Sequence, residues 1–181
     1  MIVLFMANGT EEIEALTPVD LLRRAGVEVT VVGVGGKQVT CSHGVTVTCD
    51  VADTEWSIPD HLEGVVLPGG MPGTRNLDAS SVVNEALNTA SSPEKLIAAI
   101  CAAPLILGRR GLLEGRKATC FPGFEGELAG AHIVSDPVCH DGNIITARGA
   151  GVALPFALGL VSALCGEEKA RALAGEIQCG V

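Results

Sequence analysis

Tyrosine is missing from this 181-residue sequence, and aromatic residues of all kinds make up only 3% of it. A core must therefore be built from valine, leucine, isoleucine and alanine. Positive charge is also short: 12 lysines and arginines face 21 acids, giving a formal net charge of −9. That balance argues against nucleic acid or an anionic membrane surface as a partner. No apolar run is long enough to span a bilayer, and the two longest, 96–107 and 152–165, carry proline within them. Met1 leads straight into Ile2-Val3-Leu4-Phe5 without a basic region or a cleavage site, so no signal peptide is expected. The seven cysteines, at 41, 49, 101, 120, 139, 165 and 179, form no C-x-x-C pair. Zinc and thioredoxin-type chemistry are both disfavoured, and the pattern suits a reducing cytoplasm where thiols stay free.

What is present is 48% hydrophobic residues against 18% charged, in a length that suits one domain, 1–181, with a full core. Residues 2–7 form an apolar run ending in Asn8-Gly9-Thr10, which predicts a strand and a turn. Glu11-Glu12-Ile13-Glu14 opens a helix, with Thr10 placed to cap it and acids in the first turn, where the macrodipole favours them. Gly26 ends that helix, and 27–34 alternates as a second strand. The Gly33-x-Gly35-Gly36 that follows leads into no helix start, so it reads as a plain turn rather than a dinucleotide fingerprint. Residues 38–41 and 45–49 predict a hairpin around Ser42-His43-Gly44. A strand at 64–67 runs into Pro68-Gly69-Gly70, and one helix is predicted from about 74 to 90. Later, 117–120 reads as a strand, and 138–140 and 143–147 as a hairpin turning on Asp141-Gly142. Helices are predicted at 152–164 and 167–178. The alternation predicts an α/β fold, an open and mostly parallel sheet with helices on both faces.

The chain centres on Leu96-Ile97-Ala98-Ala99-Ile100-Cys101-Ala102-Ala103-Pro104. Its apolar run predicts a buried parallel strand, and Pro104 suits the first position of a helix. Cys101 then falls at the corner between them, a nucleophile elbow with cysteine where hydrolases place serine. A helix N-terminus beside the sulfur favours thiolate. The competing reading is a buried cysteine used as a small hydrophobe. In such sheets ligands gather at the carboxyl ends of strands. The acids at 11–14, the Gly69-Gly70 turn and Cys101 all fall there, and a glycine pair exposes backbone N–H groups. A carboxyl near the thiol raises its pKa when ionised and donates to the thiolate when protonated. Glu11, Glu12 and Glu14 all remain candidates for that role, with Glu12 turned about 100° from Glu11. The histidines form no triad: His61 precedes its strand at the wrong edge, and His132 and His140 read as surface residues.

Five segments carry a resemblance in their order and spacing: A-N-G-T-E-E-I-E-A at 7–15, D-L-L-R-R-A-G at 20–26, V-V-L-P-G-G at 65–70, A-A-I-C-A-A-P at 98–104 and T-A-R-G-A-G at 146–151. Together they resemble the ThiJ/PfpI superfamily in its DJ-one branch, over nearly the whole chain. The resemblance implies a flavodoxin-like fold, Cys101 as a reactive and oxidisable cysteine, and Glu14 as the carboxyl that hydrogen-bonds it. It implies that backbone N–H groups of the Gly69-Gly70 turn and of Ala102 bind an oxyanion. It also implies a homodimer built through the first helix and the hairpin near Cys49, with no cofactor and no metal. Two functions follow from the resemblance. One is glyoxalase or deglycase chemistry on small aldehydes, reactive dicarbonyls or glycated groups. The other is a redox sensor or oxidative-stress chaperone working through a Cys101 sulfinate. Ala102 stands where the protease-like branch has histidine, so peptidase activity is not expected. Phe121 replaces a histidine of the human-type branch, His43 replaces a common arginine that bears on anion binding near the dimer interface, and Ala150 replaces a proline.

Overall fold

In the computed structural model, which describes residues 1–179, every residue of β1 (Ile2–Ala7) is buried. A strand this apolar needs cover on both faces, as parallel sheets provide. β1 lies between β2 (Val29–Val34) and β6 (Gly64–Leu67), with Ile2 opposite both Val29 and Gly64. Beyond β6 come β7 (Leu96–Ile100), β11 (Ile144–Ala147) and the edge strand β10 (Val138–Asp141). Beyond β2 lies β5 (Val51–Ala52), giving the order β10-β11-β7-β6-β1-β2-β5. Only β10 runs antiparallel to its neighbour.

The alternation of side chains along β1 divides the core in two. Val3 and Phe5 join Val65, Leu67, Ile97 and Ala99 beneath α2 (Gly73–Ala79), α3 (Ser81–Thr89) and α4 (Pro104–Arg109). Ile2, Leu4 and Met6 join Val66, Ala98 and Ile100 beneath α1 (Glu12–Arg24), α5 (Ala153–Cys165) and α6 (Glu167–Glu176). Apart from Phe5 and Phe156, the largest fully buried side chains are aliphatic or methionine, as the shortage of aromatics requires. No helix among the described residues is long and apolar enough to cross a membrane.

Local chemistry accounts for the departures from expectation. The helix predicted across 74–90 is two helices, because Ser80 adopts an extended conformation and its side chain accepts from Val83 N–H at 3.4 Å, capping α3. Glu11, not Thr10, caps α1, accepting from Glu14 N–H at 2.8 Å. Thr10 turns inward and accepts from Ala7 N–H at 3.0 Å. The late hairpin turns on Gly142-Asn143, one residue beyond the expected place, since Asp141 still pairs with Ile144. β5 was not anticipated; two residues are too few for a periodicity. Two small sheets stand apart: β3 (Gln38–Thr40) with β4 (Thr46–Thr48), and β8 (Lys117–Ala118) with β9 (His132–Ile133).

At the carboxyl edge of the main sheet the chain leaves β1 toward β2 on one side, while β6 lies on the other. This reversal of direction opens a crevice at the strand ends. The loops after β1, β6 and β7 meet there.

Candidate active site

Cys101 follows β7 directly and has φ 65°, in the left-handed region that residues with a Cβ seldom enter. Such a conformation costs roughly 1–3 kcal/mol and persists only where its surroundings impose it. Here both backbone groups are fixed: Cys101 N–H donates to Ala147 O at 2.8 Å, and Phe121 N–H donates to Cys101 O at 2.8 Å. The thiol is thereby turned out of the strand direction toward the crevice, and Cys101 is only partly buried. Pro104 begins α4 as predicted.

The glycine pair after β6 makes room for the sulfur. A Cβ on Gly69 would lie 2.6 Å from Cys101 Cβ and 2.6 Å from Glu14 Oε2. Gly70 has φ +86°, and a Cβ there would lie 2.4 Å from the Glu11 nitrogen. A side chain at Gly69 would displace Cys101 or Glu14, and one at Gly70 would displace the turn at 9–11 that leads into α1. The amides of Gly70 and Ala102 act on the Cys101 sulfur in the sense that favours thiolate. Gly69 does not share that task. Its single N–H donates to Glu14 Oε2 at 2.9 Å, so its hydrogen is already committed to the carboxyl.

Of the three acids at the start of α1, Glu14 alone is driven into the site, with 1% of its surface exposed. Its Oε1 makes no regular hydrogen bond; Cys101 and the Ala150 N–H lie close enough only to ease its charge. Burial pushes the carboxyl up to about 7. Burial, and then the negative charge of Glu14, push the Cys101 thiol up to about 12 against the pull of the Gly70 and Ala102 amides. The amides that pull the thiol down, those of Gly70 and Ala102, both precede the first residue of α4. α4 has six residues and starts three residues after Cys101. The two groups titrate as a pair, and the second proton is held tightly because the first has left a charge beside it. With Glu14 protonated that charge is gone, and the carboxyl becomes a donor to sulfur.

Glu11 and Glu12 face elsewhere. Glu12 accepts from His43 N–H at 3.1 Å, from the Ser42 hydroxyl at 3.1 Å and lies 3.0 Å from His43 Nδ1. These contacts tether the β3–β4 hairpin to α1, and the carboxylate raises the His43 pKa. His43 is thus engaged with an acid. Glu11, Glu12 and His43 offer ligand atoms within 4.8 Å of one another, but their contacts are those of a cap and a tether. His132 and His140 are exposed, as anticipated, His61 is exposed too, and all three lie outside the crevice.

One neighbour had no role assigned from sequence. A Cβ on Gly149 would lie 3.2 Å from Phe121 Cδ2 and 3.9 Å from Glu14 Oε1, which places the Phe121 ring, Gly149 and the carboxyl side by side. The T-A-R-G-A-G segment drew attention as a motif, but nothing in its spacing indicates contact with Glu14.

A doubly covered, mostly parallel sheet with a cysteine on the strand-to-helix corner and a buried carboxyl at the crevice defines a class: flavodoxin-like α/β proteins with an elbow cysteine. The chain belongs to the DJ-1/PfpI family, whose model matches residues 1–163. Protein dj-1beta of Drosophila melanogaster is 40% identical over 172 residues, 93% of this chain and 91% of that one. The glutathione-independent glyoxalase DJR-1.2 of Caenorhabditis elegans is 32% identical over 174 residues, 95% of this chain and 92% of the relative. Among solved structures, oxidized Toxoplasma gondii DJ-1 has a TM-score of 0.90 at 34% identity, covering 99% of this chain and 98% of that one.

Proposed function

We propose that this protein is a cofactor-independent glyoxalase that converts 2-oxoaldehydes into 2-hydroxy acids, with the same opening step available to early glycation adducts. The observation that carries the reading is Cys101 held at φ 65° beside a carboxyl whose pKa burial raises to about 7. The Cys101 thiolate adds to the aldehyde carbon, forming a C–S bond and an oxyanion, the hemithioacetal. The N–H groups of Gly70 and Ala102 hold that oxyanion. Glu14 moves the C1 proton to C2 while the two oxygens exchange theirs, leaving a thioester. Water cleaves the thioester and restores the thiol. C1 is oxidised and C2 reduced within one molecule, so the reaction needs no outside electron carrier. The likeness to a glutathione-independent glyoxalase supports this reading. Purified protein is expected to form lactate from methylglyoxal, and Cys101→Ser is expected to lose that activity. Equal rates in the two proteins would remove Cys101 from the chemistry.

A second reading draws on the same sulfur: oxidation of Cys101 to sulfinate, stabilised by Glu14 and the neighbouring amides, as a redox sensor or stress-linked chaperone. The likeness to an oxidized DJ-1 favours it. Intact-mass measurement after mild peroxide distinguishes the two. Gain of two oxygens at Cys101 with no aldehyde turnover would select sensing. We further place the protein in the cytoplasm, in keeping with seven free cysteines. We also read it as a homodimer, with Ile13 and Leu16 of α1 and Val45 of the hairpin, all exposed, contributing to the contact.

A further inference from the structure

Beside Cys101 lies a cavity of about 410 Å³ lined by Phe121, Pro122, Pro137 and the 148–152 segment. That volume is within the range of roughly 300–1,000 Å³ that receives small molecules. The cavity adjoins the reactive groups through three of its lining residues, Phe121, Gly149 and Ala150. Phe121 N–H is bonded to Cys101 O at 2.8 Å, Gly149 neighbours both the Phe121 ring and Glu14 Oε1, and the Ala150 N–H lies close to the Glu14 carboxyl. The ring is 47% exposed, an unusual position for one of only four phenylalanines. Two prolines and the glycines of 149–151 complete the surface. The prolines have little rotamer freedom and the glycines no side chain, so occupying the cavity costs little ordering entropy. Arg148 is the single charged residue in the lining, so no acid there repels a carboxylate product. A methyl group would leave most of this apolar surface wet.

We infer that this shelf receives the substituent on the keto carbon, so that the preferred substrates are 2-oxoaldehydes bearing a branched or aryl group rather than methylglyoxal. Phe121 is the specificity-determining residue. The inference rests on the dicarbonyl reading above, and the overall change is the same: dicarbonyl plus water gives the 2-hydroxy acid, with all electrons exchanged between C1 and C2. Burying three more carbons against Phe121 and the prolines favours the larger substrate by the usual hydrophobic increment.

The test compares kcat/KM for 4-methyl-2-oxopentanal and methylglyoxal in the wild type, Phe121→Ala and Phe121→Leu. The wild type is expected to favour the branched substrate about tenfold, the low end of what an added methylene gives in a pocket. Phe121→Ala brings the ratio close to one, and Phe121→Leu retains most of it. A second measurement needs no turnover: binding of 2-hydroxy-4-methylpentanoate and of lactate to Cys101→Ser, followed by calorimetry, with the branched acid binding more tightly. Equal kcat/KM for the two substrates, or equal binding of the two acids, overturns the shelf. Absent turnover with the binding preference intact overturns the dicarbonyl reading and leaves the shelf standing.

Discussion

Glu14 accepts one hydrogen bond, from Gly69 N–H to Oε2 at 2.9 Å, and leaves Oε1 without a regular partner. A buried carboxylate so poorly solvated is costly, and keeping its proton relieves the cost. The folded value of about 7 lies above the ordinary 4.5, so between these values the folded chain binds more protons than the unfolded chain. Stability therefore falls as pH rises through that window, by about 3 kcal/mol from this group. Urea denaturation at a series of pH values should show this decline in the wild type and a flatter profile in Glu14→Gln. An undiminished decline in the variant would assign it to another group. At this scale the sequence was legible only in part. Glu11, Glu12 and Glu14 share one turn, and no local pattern separates them. The close approach of Gly69, a residue 55 positions away, decides which one is buried.

Turns and caps, more than regular elements, set the geometry of the crevice. The Gly69-Gly70 turn lets β6 end within contact of α1 and of the β7 corner. Gly69→Ala should fold with a loss of about 1–3 kcal/mol, typical of overpacking. It should also slow alkylation of Cys101, because the new methyl displaces Cys101 Cβ or Glu14 Oε2. Unchanged alkylation would mean that the pair tolerates displacement. Ser80→Ala, by contrast, removes only the cap of α3 and should cost about 1 kcal/mol, read from denaturation, with alkylation unaltered. Most elements could be read in advance: β1, β6, β7 and the start of α4 follow from apolar runs and from Pro104. The break at Ser80 was missed because 74–90 keeps a helical pattern across it. The capping role of Glu11 was missed because Thr10 is the better intrinsic cap, yet it is drawn inward to Ala7.

For the whole molecule, two-faced burial of β1 and strand–helix alternation made the α/β architecture legible, whereas the strand order was not. Nothing in the sequence states that β1 lies between β2 and β6; strand ends gather the acids at 11–14, Gly69-Gly70 and Cys101 at one edge, but the choice of Glu14 among the acids rests on family resemblance. The exposed apolar side chains of α1 also belong to this scale. Ile13 is 53% exposed and Leu16 40%, on a helix whose other face is packed in the core. Ile13→Glu should shift sedimentation from dimer to monomer at micromolar concentration while leaving the far-ultraviolet spectrum unchanged. A dimer that persists would place the contact elsewhere.

The pH dependence of Cys101 alkylation tests most directly whether the first proton of the Cys101–Glu14 pair leaves the sulfur. The rate should rise with a midpoint below that of free cysteine in the wild type, because a protonated Glu14 donates to the sulfur and favours its thiolate. The midpoint should move upward in Glu14→Gln and further in Glu14→Leu, as the donor to sulfur weakens and then disappears. A wild-type midpoint at or above that of free cysteine, about 8.5, or one identical in all three proteins, would contradict a thiolate sustained by a protonated Glu14.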